Sequence, residues 1–413
     1  MTTQAQVALD RIFAAALGIL VTYGAAAVLT PEQFGVFVLF ETVRVGVLMC
    51  CDRTVIQAYV YYAAADPASK TATATAALML RSVAVAILCS CTVTVLLIPT
   101  QAGAAWKGAF LWLPVWVALS MVQTTVQQSL TAEREYRGLM LSDAIPFVAF
   151  GAVLVFASGR IATPVGWMSL SCLARSLAGV VFVRRVIGPG FRVDSVRCLA
   201  VYRYAKASLV NNLASYVNLR ADSLFLGFTS TLSEVARWGL VGPLVNVYML
   251  IGEAANLELL PSVSSAVAAG KRDQIKESAC HAARVWGGVA AVISVLVMVC
   301  PIERFLPGGP ALAAGTHVMF AVVAVAGPPL VIARIFAAVN NGYGQPERNA
   351  QAAMLALASK LTMGLALIAA FGAVGAAYAL VLATLVMTWV AAYYALARWG
   401  SEETAQTTGV AVR

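Results

Sequence analysis

Asn211, Ser215, Asn218 and Asp222 follow one another at +4, +3 and +4 inside one long apolar run. That spacing places all four on a narrow face of a helix. A charge at mid-membrane costs about 2.5–3.5 kcal/mol on insertion scales, so this face must look at protein or water. Two readings are open. The face lines a polar path, or its groups hydrogen-bond a neighbouring helix at about 1 kcal/mol each. A second run carries Ser120, Gln123, Thr124, Gln127 and Thr131 and ends at Arg134. Amides and hydroxyls so spaced suit sugar hydroxyls and helix packing equally. A third run places Glu41, Arg44 and Asp52 on one face, with Arg53 to the side. Glu41 and Arg44, at i and i+3, either neutralise each other or leave Arg44 as a forked ligand for a diphosphate. Arg53, Arg284 and Arg334 are further candidate ligands on the path, each against the rival reading of a structural charge near a membrane surface.

Asp52, Asp222 and Glu253 are carboxylates suited to coupling a proton or a sodium ion, and Glu258 lies nearer the inner surface. No catalytic machinery accompanies them. The chain has no phosphate-cradling GxxxxGK[ST] loop, no nucleophile elbow and no metal-ligand cluster, so neither an enzyme nor a resident cofactor is expected. The 8 cysteines form no CxxC pair and the 2 histidines are isolated, which argues against a zinc site or disulfide framework.

The elements that must position these residues follow from composition. Of 413 residues, 61% are hydrophobic and 11% charged, too much apolar surface for water to solvate. No cleavable signal stands out, because the first apolar run continues for about a full span. Twelve helical spans are expected, near 8–29, 36–62, 74–99, 105–131, 141–158, 163–186, 201–228, 236–260, 279–301, 311–340, 349–371 and 374–398. With the N-terminus inside, 15 basic residues fall on inner connectors and termini and 4 on outer ones (Lys107, Arg160, Arg237, Arg304), so both termini are expected in the cytoplasm.

A repeat shows through. Leu130 to Gly138 is echoed by Val339 to Arg348, Leu29 to Gly35 by Leu232 to Gly239, and the Gly159 to Gly166 hinge by Gly372 to Gly375. Two membrane halves on one plan point to a transporter. The expected organisation is a six-helix lobe over 1–187, a basic linker over 188–203, a second six-helix lobe over 204–400 and a tail over 401–413. The linker reads either as an interfacial helix on the inner leaflet or as an exposed basic segment that enforces topology.

Short motifs carry a family resemblance along nearly the whole chain: Leu29-Thr-Pro-Glu-Gln-Phe-Gly-Val-Phe37, Asn218-Leu-Arg-Ala-Asp-Ser-Leu-Phe-Leu-Gly227, Pro261-Ser-Val-Ser-Ser265 before Lys271-Arg-Asp273, and Phe371-Gly-Ala-Val-Gly-Ala-Ala377. On these the chain resembles the polysaccharide-transporter branch, with its O-antigen (Wzx-type) lipid-linked oligosaccharide flippases, of the multidrug/oligosaccharidyl-lipid/polysaccharide exporter (MOP) superfamily. The resemblance implies an all-α, MATE-like membrane fold of two pseudo-symmetric lobes in the cell inner membrane. It also implies a polyprenyl-diphosphate-linked oligosaccharide as cargo, membrane lipids and polysaccharide polymerase or assembly proteins as partners, and no nucleic acid. A cation-coupled multidrug exporter of the same fold is the alternative. A membrane glycan polymerase or ligase fits less well, because no outer connector is long enough to hold a catalytic loop.

Overall fold

Prolines and caps punctuate a chain that is otherwise apolar helix. The computed structural model describes residues 3–53, 55, 58–59, 70–97, 104–132, 135–157, 161, 163–186, 194–269, 271–300, 315–343 and 345–408. The described secondary structure is helical, as backbone in lipid must be if its polar groups are to bond internally. The helices are α1 (Thr3–Val28), α2 (Pro31–Val47), α3 (Lys70–Leu97), α4 (Ala104–Ala132), α5 (Tyr136–Ala157), α6 (Pro164–Val186), α7 (Ser195–Arg220), α8 (Asp222–Thr229), α9 (Leu232–Ala268), α10 (Arg272–Val299), α11 (Thr316–Gly342), α12 (Pro346–Ser359) and α13 (Leu365–Thr408). Among the described residues, 7 helices are long and apolar enough by themselves to cross a membrane.

Thr30 starts α2 with a reciprocal cap: its hydroxyl accepts from the Gln33 N–H at 3.3 Å, and the Gln33 side chain accepts from the Thr30 N–H at 3.1 Å. Pro31 then fills a position that needs no donor. Two π-helical turns interrupt regular helix, Leu48–Arg53 after α2 and Lys360–Gly364 between α12 and α13.

Departures from the expected spans bear on the candidate residues; one is the π-helical turn Leu48–Arg53, which interrupts the run expected over 36–62. The run expected to be continuous over 201–228 breaks at Ala221, so that Asp222 becomes the first residue of α8, where a carboxylate suits the positive end of the dipole. The run over 349–371 is widened by the second π-helical turn. Residues 195–203, expected in the linker, form the first turns of α7, because the Asp194 carboxylate accepts the N–H groups of Val196 (2.9 Å) and Arg197 (3.3 Å). The linker residues 187–193 lie outside the described residues, as do Glu133 and Arg134 of the first repeat and Gly159 of the hinge.

The chain forms two compact units. One comprises Met1–Tyr216, Thr231–Leu240 and Pro307–Leu312; the other comprises Val217–Ser230, Val241–Leu306 and Ala313–Arg413. In the first, Trp116 and Trp167 are fully buried. The Trp116 indole N–H donates to Ser169 Oγ and that of Trp167 to the Val21 carbonyl, each at 2.9 Å. Their apolar rings fill the core while no polar atom is stranded. Gly35 lies under the Leu232 carbonyl oxygen, where any Cβ would collide.

The second unit is organised around α11. Pro328 lacks the N–H that would bond the Ala324 carbonyl. Ser294 Oγ from α10 stands 2.8 Å from that carbonyl and 2.8 Å from the Ala290 carbonyl of its own helix, so its one proton serves both acceptors, and it is also hydrogen-bonded to Tyr248 Oη at 2.8 Å. At Gly372 (φ 56°, ψ −131°) the backbone enters a region that side chains disfavour, and α13 kinks there.

Candidate functional site

In the first unit the polar stripe of α4 is a spine that receives charged side chains from three other helices. Arg44 grips Glu41 with two bonds, Nε to Oε2 at 2.8 Å and Nη2 to Oε1 at 2.5 Å, and donates Nη1 to Ser120 Oγ at 2.6 Å. One turn further along α4, Thr124 Oγ1 donates to Asp52 Oδ2 at 2.6 Å. Asp52 forms an ion pair with Arg81 from α3, their side chains 3% and 5% exposed. Arg81 also donates to the Met121 carbonyl at 2.6 Å, to Thr124 Oγ1 at 3.2 Å and to Thr125 Oγ1. The amides of Gln123 and Gln127 both donate to Asp143 Oδ1 of α5, at 3.0 and 2.6 Å.

The carboxyl group of Asp143 is hydrogen-bonded to that of Asp10 of α1, and Arg11 stands 3.6 Å from the Asp10 carboxylate. Arg175 of α6 lies within electrostatic reach of Arg44, Glu41, Cys172 and Asp143. Its Nε is buried and, among the described residues, accepted by no oxygen. Asp10, Arg44, Asp52, Arg81, Gln123 and Asp143 are all buried. Buried charges hold only when paired and hydrogen-bonded, as Arg44 is with Glu41 and Asp52 with Arg81.

The second unit contains a smaller constellation. Lys360, the first residue of its π-helical turn, donates Nζ to Asp222 Oδ2 at 2.8 Å and to the Asn218 carbonyl at 2.5 Å. Asn218 is fixed from its other side, its amide donating to the Ala353 carbonyl at 2.8 Å.

The unit boundary falls inside α7, so Ser215, half-buried, belongs to the first unit and Asn218 and Asp222 to the second. Arg334 is half-buried on α11, its stem against Gly252 and its Nη2 3.4 Å from Met249 Sδ. Glu253 is half-buried on α9 and Arg284 is exposed on α10. The side chains of Arg53, Asn211 and Glu258 lie outside the described residues.

No family model and no curated protein matches the chain. Solved structures do. The lipid II flippase MurJ in an inward closed conformation superposes with a TM-score of 0.72 at 12% identity, over 94% of this chain and 87% of that one. An inward-facing multidrug resistance MATE family transporter of the MOP superfamily gives 0.70 at 11% identity, over 98% and 96%. The Vibrio cholerae MATE transporter VcmN gives 0.64 at 12% identity, over 98% and 96%. The chain has the MOP-transporter fold.

Within that fold, sequence reasoning missed Arg81, Arg175, Asp10, Asp143 and Lys360. A signal was available for most of them. Arg81, Arg175 and Lys360 are isolated cations inside apolar helices, and a cation there demands a carboxylate or other oxygen in reach. What the chain could not announce was the partner: Arg81 meets Asp52 and Lys360 meets Asp222 across 29 and 138 positions of sequence. The second copy of the polar repeat has a structural task. Asn349 bridges to the Ala337 carbonyl at 2.9 Å, to Asn341 at 2.8 Å and to Asn340 at 3.1 Å, tying α11 to α12.

Proposed function

We propose that this chain is a membrane carrier that moves a polyprenyl-diphosphate-linked oligosaccharide across the cytoplasmic membrane by alternating access, for the assembly of a surface or exported polysaccharide. The observation that carries the anionic cargo is Arg175. Its guanidinium has an Nε with no acceptor among the described residues and sits in electrostatic reach of Arg44, a like charge. Two guanidinium groups so placed are an anion site in waiting, because forked N–H donors match phosphate oxygens. The amides and hydroxyls of the α4 spine would then meet glycan hydroxyls once the lobe rearranges. The diphosphate would be bound while the polyprenyl tail stays among membrane lipids. Export would deliver the unit to polymerase or assembly proteins.

For coupling to H+ or Na+, the candidates are Asp52 and Glu253, with the adjoining carboxyl groups of Asp10 and Asp143 beside them; Asp222, paired with Lys360, would serve only in a state where the lysine releases it.

A second reading is a cation-coupled multidrug or small-molecule exporter of the same fold. It is favoured by the charge balance of the first unit, where Asp10, Glu41, Asp52 and Asp143 accompany Arg11, Arg44, Arg81 and Arg175.

A deletion strain separates the two. Lipid-linked repeat units should accumulate on the cytoplasmic face, the wild-type chain should clear them, and an Arg175→Ala variant that inserts normally should export about tenfold less, the scale of one lost charge-assisted contact. Normal surface polysaccharide without an intermediate sinks the flippase reading. If such a strain instead gains sensitivity to cationic drugs, the second reading stands.

A further inference from the structure

We propose that Asn218 and Asp222 form a monovalent-cation cradle in the second unit and that the Lys360 ammonium is its built-in occupant. Lys360 and Asp222 are both 0% exposed, so the pair is sealed from solvent in this conformation. The Lys360 Nζ is held by the Asp222 carboxylate at 2.8 Å and the Asn218 main-chain carbonyl at 2.5 Å. Both ligands are hard oxygens, one charged and one neutral, which is the donor set that alkali cations take from proteins.

A third oxygen belongs to the same residue. Asn218 Oδ1 is buried and has no hydrogen-bond partner among the described residues, while the amide nitrogen beside it is anchored to the Ala353 carbonyl. A buried carbonyl oxygen left unanswered is costly in a native interior. Beside a carboxylate it is a ligand position in want of a cation.

Backbone geometry supports the cradle from both sides. α7 ends at Arg220 and α8 begins at Asp222, while Lys360 opens a π-helical turn. Each irregularity lies at a residue whose oxygen or ammonium faces the pair. A helix break frees main-chain carbonyls from the regular ladder, and a widened turn re-aims the side chain that meets them.

The ammonium and an alkali ion carry the same single charge and are held by the same oxygens. A lysine tethered to the wall is present at an effective concentration that free ions at ordinary salt do not match. The native unit therefore keeps this carboxylate neutralised whatever cation the medium supplies. Removing the lysine side chain would leave a buried carboxylate with a vacant cation position, open to refilling from solution. This inference does not depend on which cargo the protein carries.

The test is thermal unfolding of the purified full-length protein in detergent, in choline, sodium, potassium and ammonium chloride at equal ionic strength. The gap between choline and the other three salts should be clearly larger in the Lys360 variants than in the native protein. Lys360→Ala should melt lower in choline, which is too bulky to enter, and recover in a saturable way with ammonium, sodium or potassium. Adding Asp222→Asn to Lys360→Ala should abolish that recovery. Lys360→Met keeps most of the side-chain volume and serves as a second variant with the same expected salt response. Equal melting of both single variants in choline and in the other salts overturns the proposal. If neither variant folds in any of the four salts, no cation refills the pocket and the proposal fails.

Discussion

Asp52 and Arg81 are buried on neighbouring helices, and each is the other's counter-charge. Removing one member of such a pair strands a charge and costs about 3–5 kcal/mol, whereas replacing both by apolar groups of similar volume is near neutral. Arg81→Met or Asp52→Leu alone should therefore lower the unfolding free energy by about 3–5 kcal/mol, and the double variant should recover most of it. Denaturation in mixed micelles measures this. Singles that unfold like the native protein would mean the pair contributes nothing. Glu41 and Arg44 differ in legibility: their i, i+3 spacing lies within one helix, so sequence alone put them within reach. For Asp52 the partner sits on α3, and no local rule points there. For Gln123 and Gln127, too, the sequence named no partner; both amides donate to Asp143 of α5.

At the scale of elements, α11 shows how an apolar helix tolerates two adjacent prolines. Pro328 leaves the Ala324 carbonyl without its helical donor, and the Ser294 hydroxyl of α10 supplies one at 2.8 Å. Ser294→Ala should cost about 1–3 kcal/mol, the price of stranding a buried acceptor. In a Pro328→Ala background the new N–H can bond Ala324 itself, so the same serine change should cost clearly less. A double-mutant cycle by thermal unfolding reads the difference; additive effects would show that Ser294 does not compensate for the proline. The sequence announced the interruption, since proline removes a donor in any helix. It could not announce the remedy, because a serine at position 294 has many possible acceptors. The break at Ala221 and the π-helical turn at Lys360 escaped notice for a related reason: the apolar pattern runs straight through both.

At the scale of the whole molecule, orientation is the property that the distribution of basic residues predicts. Basic residues are retained on the cytoplasmic side, and the count of 15 against 4 is a large bias. In a cysteine-free background, Thr3→Cys and Thr408→Cys should react with a membrane-impermeant thiol reagent only after cells are permeabilised. Ser230→Cys, between α8 and α9, should react in intact cells. Labelling of either terminus in intact cells would reverse the topology and with it the direction of transport proposed above.

The apolar runs were enough to indicate an all-helical chain with segments long and apolar enough to cross a membrane. Helix is the answer that lipid forces on any long hydrophobic segment, whatever its neighbours. The same reasoning marked Asn218 and Asp222 as polar groups needing a non-lipid environment. Which groups meet was decided only by tertiary structure. Lys360 reaches Asp222, Asp143 gathers two glutamines, and Arg175 is left with an unanswered N–H, because a pairing between helices depends on rotation and register that one-dimensional periodicity does not encode. Sequence can state that a buried charge needs a partner; only the packed fold says which residue that partner is.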